Sequence, residues 1–155
     1  MDLVTLKKEY LVIEKKYKLP SFSEINAIFE IEKIEQDTEN LARAVRKFMI
    51  DKVLNTLSFI EMLIQQVNAP RLYQNYLRTI PVKDKESLQK IYEKLGELSL
   101  LSLVLEVDTN EKKECDAIVK FYETWKSIKP ALLLILESIQ RPATQEAKKE
   151  KSYFG

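Results

Sequence analysis

Hydrophobic residues recur at helical spacing along almost the whole chain. Over residues 2–17, apolar side chains lie three or four positions apart with lysine and glutamate between them, which predicts an amphipathic helix. A proline drives the residue before it out of the helical region, so this helix ends before Pro20. Ser21 and Glu24 match a capping box, which predicts a second, short helix running to about Phe29.

A longer helix is predicted over residues 38–67. Asp37 or Thr38 can cap its N-terminus, and Pro70 follows its C-terminus. Residues 70–83 lie between this helix and the next and show no regular period, so we expect an irregular connection there. The apolar side chains of the long helix trace a single face. They are Leu41, Val45, Phe48, Val53, Leu57, Ile60, Ile64 and Val67.

The next helix is predicted over residues 85–107. Asp84 is a good N-cap for it, because its side chain can accept a hydrogen bond from a free amide of the first turn. Residues 98–107 are apolar on nearly every side. We therefore expect this helix to be the most buried one.

A last helix is predicted to begin near Glu111. Proline cannot donate the intrahelical hydrogen bond, so Pro130 predicts a kink or a break, with an apolar helix continuing over residues 131–140. The dipeptide at Arg141 and Pro142 is expected to end it.

These elements predict an all-α fold. We expect an irregular antiparallel bundle of four to five helices, two of them long, with the last helix kinked at a proline. Phe48 and Trp125 are expected among the large core anchors. Residues 1–141 are predicted to form a single domain, and residues 142–155 a flexible basic C-terminal tail.

Composition narrows the chemistry that the chain can support. The 155 residues include no histidine, one cysteine and two glycines. Histidine-based catalytic groups, zinc sites of cysteine and histidine, and glycine-rich phosphate loops all need residues that are missing. We therefore predict no catalytic residue, no metal site, no cofactor and no small-molecule substrate, and expect a non-enzymatic protein. The alternative is an enzyme that uses only carboxylates and lysines.

Charge and hydropathy bear on location. The net charge is +1, which gives no bulk attraction to nucleic acid or to a membrane surface. The longest apolar runs are shorter than the roughly 20 residues that span a bilayer, and the first residues carry charges where a secretory leader is apolar. We expect a cytoplasmic protein with no membrane partner.

Acidic residues cluster over residues 24–40, where six acids accompany one lysine for a net charge of −5. A solvated surface is the simplest interpretation of this cluster. The alternative is a docking patch for a basic protein partner, with Glu30, Glu32 and Glu35 as its candidate residues.

Basic and aromatic residues interleave over residues 71–78. Such surfaces stack bases and hold phosphates, although the same pattern also occurs where tyrosines pack inward and arginines extend to solvent. Nucleic-acid binding, as an accessory protein of replication or translation, is therefore the alternative function. Its candidate residues are Arg43, Arg46, Lys47, Arg71, Tyr73, Tyr76 and Arg78.

The C-terminal tail ends in two aromatic residues, Tyr153 and Phe154, after a basic run. Disordered segments are usually poor in aromatic residues, because nothing buries them. The pair therefore predicts a short docking peptide for a protein partner, with a tail that folds back on the domain as the alternative.

Two stretches carry a resemblance to a known group. They are LPSFSEIN at residues 19–26 followed by FEIE at 29–32, and LSLLSLVL at 98–105 leading to Trp125. Together they resemble small uncharacterised all-helical proteins of archaea. The resemblance implies a helical fold and an archaeal source, and it implies no function.

We therefore predict a protein–protein interaction module, an adaptor or a small subunit of a larger assembly. The acidic residues 24–40 contrast with the basic residues 71–85 and the basic tail, and this charge segregation favours oriented docking of a protein partner. If apolar side chains of residues 98–107 stay exposed in the folded monomer, a homodimer through one helix face is expected.

Overall fold

The computed structural model describes the backbone of residues 1–35, 38–65 and 69–154, and their side chains except those of Tyr76 and residues 142–154. The described part is all-helical and contains six α-helices and no strand. The prediction of an all-α fold is confirmed, but four to five helices was too few. The helices are α1 (Leu3–Tyr17), α2 (Phe22–Phe29), α3 (Leu41–Ile64), α4 (Arg71–Leu77), α5 (Val82–Val107) and α6 (Glu111–Phe154).

The first two helices form where the sequence placed them. The Asp2 side chain accepts a hydrogen bond from the Thr5 amide and caps α1. The predicted capping box of α2 is confirmed, because Ser21 and Glu24 each accept a hydrogen bond from the other's amide. A 3₁₀ turn over Ile31–Lys33 follows α2.

Helix α3 begins three residues later than predicted. Asn40 caps it, since Oδ1 of Asn40 accepts a hydrogen bond from the Arg43 amide at 3.0 Å. The prediction of Thr38 as the cap is wrong: its hydroxyl accepts a hydrogen bond from the Asn40 amide instead. Asp37, the other predicted cap, lies outside the described residues.

The connection over residues 70–83 is more regular than expected. It contains the short helix α4, and α5 already begins at Val82 directly after Pro81. Asp84 therefore does not cap α5. It lies in the first turn of the helix, where the dipole favours an acidic side chain.

Helix α6 is continuous from Glu111 to Phe154. The helix runs through both prolines, so a break at Pro130 and an end at Arg141 are wrong, while a kink at Pro130 stays a prediction. The flexibility of residues 142–155 stays a prediction, and Gly155 lies outside the described residues.

The three long helices α3, α5 and α6 pack most extensively against one another, and the shorter helices cover their surfaces. Trp125 is buried and lies edge-on against Phe29, while Phe48 is only half-buried. The core therefore lies between the three long helices. Among the described helices, none combines the length and the apolar character needed to cross a bilayer.

Candidate interaction surface

The beginnings of α3 and α6 and the end of α5 meet around a buried ion pair. Arg46 and Glu114 are 1% and 0% exposed. Nε of Arg46 donates to Oε2 of Glu114 at 2.7 Å, and Nη2 of Arg46 donates to Oε1 at 3.2 Å. The contact is bidentate, which is the strongest arrangement of an arginine with a carboxylate.

Three more side chains complete this cluster, which we call the arginine cluster. Nη1 of Arg46 donates to the hydroxyl of Ser102 and Nη2 donates to Oε1 of Glu106, both at 2.8 Å. The hydroxyl of Thr109 donates to Oε1 of Glu114 at 2.8 Å. Buried charges are costly unless hydrogen bonds replace their water, and these contacts supply that replacement.

Glu106 is the outer member of the arginine cluster, with 38% of its side chain exposed. It also accepts a hydrogen bond from Arg43 at 2.9 Å and lies 3.3 Å from Nζ of Lys47. Hydrogen bonds from Arg46 and then from Arg43 lower the pKa of Glu106 to about 2. Burial acts to lower the pKa of Arg46, but its hydrogen bonds to Glu114 and Glu106 outweigh burial and raise the pKa.

The arginine cluster contacts the inward side of α5. Ser102 lies on the same helix face as Leu98 and Leu105, and all three are buried. Arg46 donates to Ser102 and Glu106 on this side, and the opposite face of α5 is turned toward solvent.

That outward face carries four apolar side chains at spacings of three, one and three residues, which places them on one side of a helix. They are 60% to 91% exposed. We call this row the α5 stripe, and it consists of Leu100, Leu103, Val104 and Val107. The prediction that α5 is the most buried helix is therefore wrong.

A groove of about 940 Å³ adjoins the α5 stripe. It lies between α3 and α5 beside the arginine cluster, and Leu103 lines it together with Phe48 and Leu54. Leu54 is itself 40% exposed. Leu103 thus belongs to both the groove and the α5 stripe, so the two adjoin at this side chain, while the groove also has charged lining residues such as Lys47 and Asp51.

The acidic candidates lie around the 3₁₀ turn and are exposed. Glu30 pairs with Lys33 at 2.9 Å, and the Glu32 carboxylate accepts a hydrogen bond from Asn26. The hydrogen bond from Lys33 lowers the pKa of Glu30. Glu35 lines the groove. Local partners hold Glu30 and Glu32, and docking of a basic partner on these residues stays a prediction.

The basic candidates fall into two groups, because Arg43, Arg46 and Lys47 converge on Glu106 and the others lie on or beside α4. Arg46 is inside the arginine cluster, where it cannot reach a phosphate, and Arg43 and Lys47 contact Glu106. Arg71, Tyr73 and Arg78 are exposed on or beside α4, which follows the far end of α3. At roughly 1.5 Å per residue, α3 separates the two groups by about 30 Å. The structure thus removes Arg46 from the predicted nucleic-acid surface and divides the rest, while the Tyr76 side chain lies outside the described residues.

The remaining candidates are the tail aromatics, Tyr153 and Phe154. Both belong to the last turn of α6, and their side chains lie outside the described residues. Their docking on a partner stays a prediction.

Among the described residues, no set of three or more acidic or cysteine side chains converges as metal ligands do. Cys115 is fully buried, and burial raises the pKa of its thiol to about 12.

Comparisons with known proteins add no relative to this description. No family model, no curated protein and no solved structure matches the chain. The resemblance to small archaeal helical proteins therefore stays a prediction.

Proposed function

We propose that this protein is a non-enzymatic protein–protein interaction module that associates through the α5 stripe, and that its occupant is a second copy of the chain. The observation that carries the proposal is the exposure of Leu100, Leu103, Val104 and Val107 on one helix face. Contiguous exposed apolar surface is typical of interaction sites, whereas single exposed leucines are ordinary.

The α5 stripe fits a copy of itself. A two-fold axis between Leu103 and Val104 would lay two stripes antiparallel, so that Leu100 of each copy meets Val107 of the other. The same arrangement brings Glu97 of one copy toward the turn after α5 of the other. That turn carries Asp108, which is paired with Lys113 of α6 at 2.6 Å, so the charges there offset each other. The apolar contacts alone therefore favour this pairing.

The expected affinity is modest. Burying a leucine or valine that is already partly covered contributes roughly 1–2 kcal/mol. With four such side chains on each copy, the total is similar to the association cost of roughly 4–15 kcal/mol. We therefore expect a reversible dimer that separates on dilution, with the groove adding contact area at the edge.

Sedimentation equilibrium over a dilution series tests this proposal. We expect the mass of two chains at high concentration and of one chain at low concentration. Leu103→Asp should give the mass of one chain throughout, because it places a charge at the centre of the interface.

The matched control is Leu134→Asp, which changes a leucine of α6 that is 68% exposed and away from the α5 stripe. This variant should form the dimer and separate on dilution over the same concentration range as the wild type. A wild-type chain that stays monomeric at every concentration, or equal weakening by both variants, would refute self-association through α5.

A further inference from the structure

A second pocket lies on another side of the molecule, and neither the arginine cluster nor the α5 stripe contributes to it. It has a volume of about 430 Å³, within the roughly 300–1,000 Å³ of small-molecule sites. The C-terminal half of α2, the middle of α3 and the middle of α6 form its walls. Its lining residues are Ala27, Ile28, Lys52, Asn55, Thr56, Phe59, Trp125, Lys129, Leu132, Leu133 and Leu136.

The charge in this pocket has one sign. Lys52 and Lys129 are its cations, and no aspartate or glutamate occurs among the described lining residues. Nζ of Lys52 donates to the carbonyl of Ile28 and lies 5.2 Å from the centre of the Trp125 ring. An ammonium has three donors, so Lys52 can still bind an anion.

The pocket is polar at one end and apolar at the other. Arg46 and Glu114 meet near the starts of α3 and α6, and Lys52 and Trp125 meet further along both, so the two helices run in the same direction. Lys52 lies at the Trp125 end of the pocket, and Lys129 lies one turn of α6 beyond Trp125. Phe59 lies further along α3 and Leu136 further along α6. From Trp125 to Leu136 the pocket follows about 16 Å of α6, at roughly 1.5 Å per residue.

We propose that this pocket binds a small anionic amphiphile, a carboxylate with a linear alkyl chain. Its carboxylate would lie between Lys52 and Lys129, and its chain would run along Phe59, Leu132 and Leu136. Charge complementarity selects the head group, and the apolar end selects the tail. This inference does not depend on self-association through the α5 stripe.

The protein supplies its own reporter for the test. Trp125 is the single tryptophan of the chain, and it lines the pocket. Decanoate, kept below the concentration at which it forms micelles, should change the tryptophan fluorescence in a saturable way. Nonyltrimethylammonium, which has the same alkyl chain and the opposite charge, should bind at least tenfold more weakly. In a series of shorter carboxylates, binding should weaken by roughly fourfold for each methylene removed.

Two matched lysine variants locate the site. Lys129→Gln should weaken decanoate binding by about tenfold, as expected for the loss of one charge-assisted contact. Lys94→Gln, which changes an exposed lysine of α5, should leave binding unchanged. Leu103→Asp should also leave it unchanged, which separates this site from the α5 stripe.

The proposal is overturned if decanoate produces no saturable change, if the cationic amphiphile binds equally well, or if the two lysine variants weaken binding equally. Circular dichroism of each variant should match the wild type. If Lys129→Gln fails to fold, Leu133→Ala tests the same pocket and is expected to weaken binding as well, because Leu133 lines it at the surface and is 46% exposed.

Discussion

Helix α5 carries leucines on two faces, one of which is buried in the core and the other exposed to solvent. Leu98 and Leu105 are 0% and 2% exposed, whereas Leu100 and Leu103 are 65% and 61% exposed. Over residues 98–107 the inner face nevertheless carries a polar side chain that the α5 stripe lacks, Ser102 beside buried Arg46. Hydrophobicity alone therefore does not determine which side of α5 is inside.

The difference points to the arginine cluster as the feature that fixes the rotation of α5. Turning the helix to bury the α5 stripe would carry Ser102 and Glu106 away from Arg46 and leave a buried cation with fewer partners. Such a cation costs more than exposed leucines do. A buried polar network can in this way select one arrangement among several that are equally apolar.

The largest expected effect comes from breaking the buried pair. Glu114→Leu should lower the free energy of unfolding by about 3–5 kcal/mol, because it leaves Arg46 buried without its bidentate partner. Urea denaturation measured by circular dichroism gives this value. The double variant Arg46→Met with Glu114→Leu should lose less than the single variant, since no buried charge remains at either position. A double variant that is less stable than Glu114→Leu would show that the pair itself, and not the unpaired charge, dominates.

The next effect separates the two faces of α5 directly. Leu105→Ala should lower the free energy of unfolding by about 2–5 kcal/mol, because it leaves a cavity in the core. Leu103→Ala should change it by less than about 0.5 kcal/mol at protein concentrations where the chain is monomeric. Thermal unfolding of both variants at one low concentration makes the comparison. Similar losses would mean that the α5 stripe is packed within the monomer.

The smallest effect concerns the outer edge of the arginine cluster. The folded pKa of Glu106 is about 2 and its ordinary value is 4.5, so its contribution is fully present above pH 4.5 and is lost as the pH falls toward 2. Glu106→Gln should lower the free energy of unfolding by about 1 kcal/mol at neutral pH, a small value because water screens a partly exposed carboxylate.

Urea denaturation between pH 2 and pH 4.5 should give a smaller difference in the free energy of unfolding between Glu106→Gln and the wild type than urea denaturation at neutral pH. Glu137→Gln, at an exposed position of α6 outside the arginine cluster, serves as the control. A Glu106→Gln difference that is the same at both pH values would contradict the assignment.

Local signals predicted most of the helices. The capping box at Ser21 and the apolar period of α1 act over a few residues, and both appear in the structure as expected. The short helix α4 was missed because seven residues between two prolines give too few turns to show a period. Pro130 predicts a kink or a break and Pro142 predicts an end, whereas α6 continues through both of them.

The arginine cluster was not predicted, because its buried charges, Arg46 and Glu114, lie 68 residues apart in the sequence. A signal was nevertheless present. Arg46 lies on the row of α3 that contains Ala42 and Met49, and Glu114 on the row of α6 that contains Ile118 and Phe121. Two opposite charges on otherwise apolar faces predict a buried pair, but only tertiary packing shows that they meet.

The single thiol of the chain has a practical consequence. Cys115 is fully buried and its pKa is about 12, so the folded protein presents almost no thiolate near neutral pH. A cysteine introduced on the surface of α5 or near Trp125 can therefore take a spin label or a fluorophore selectively without removing the native residue. Distances between copies, or between a label and a bound ligand, then become measurable in the otherwise native sequence.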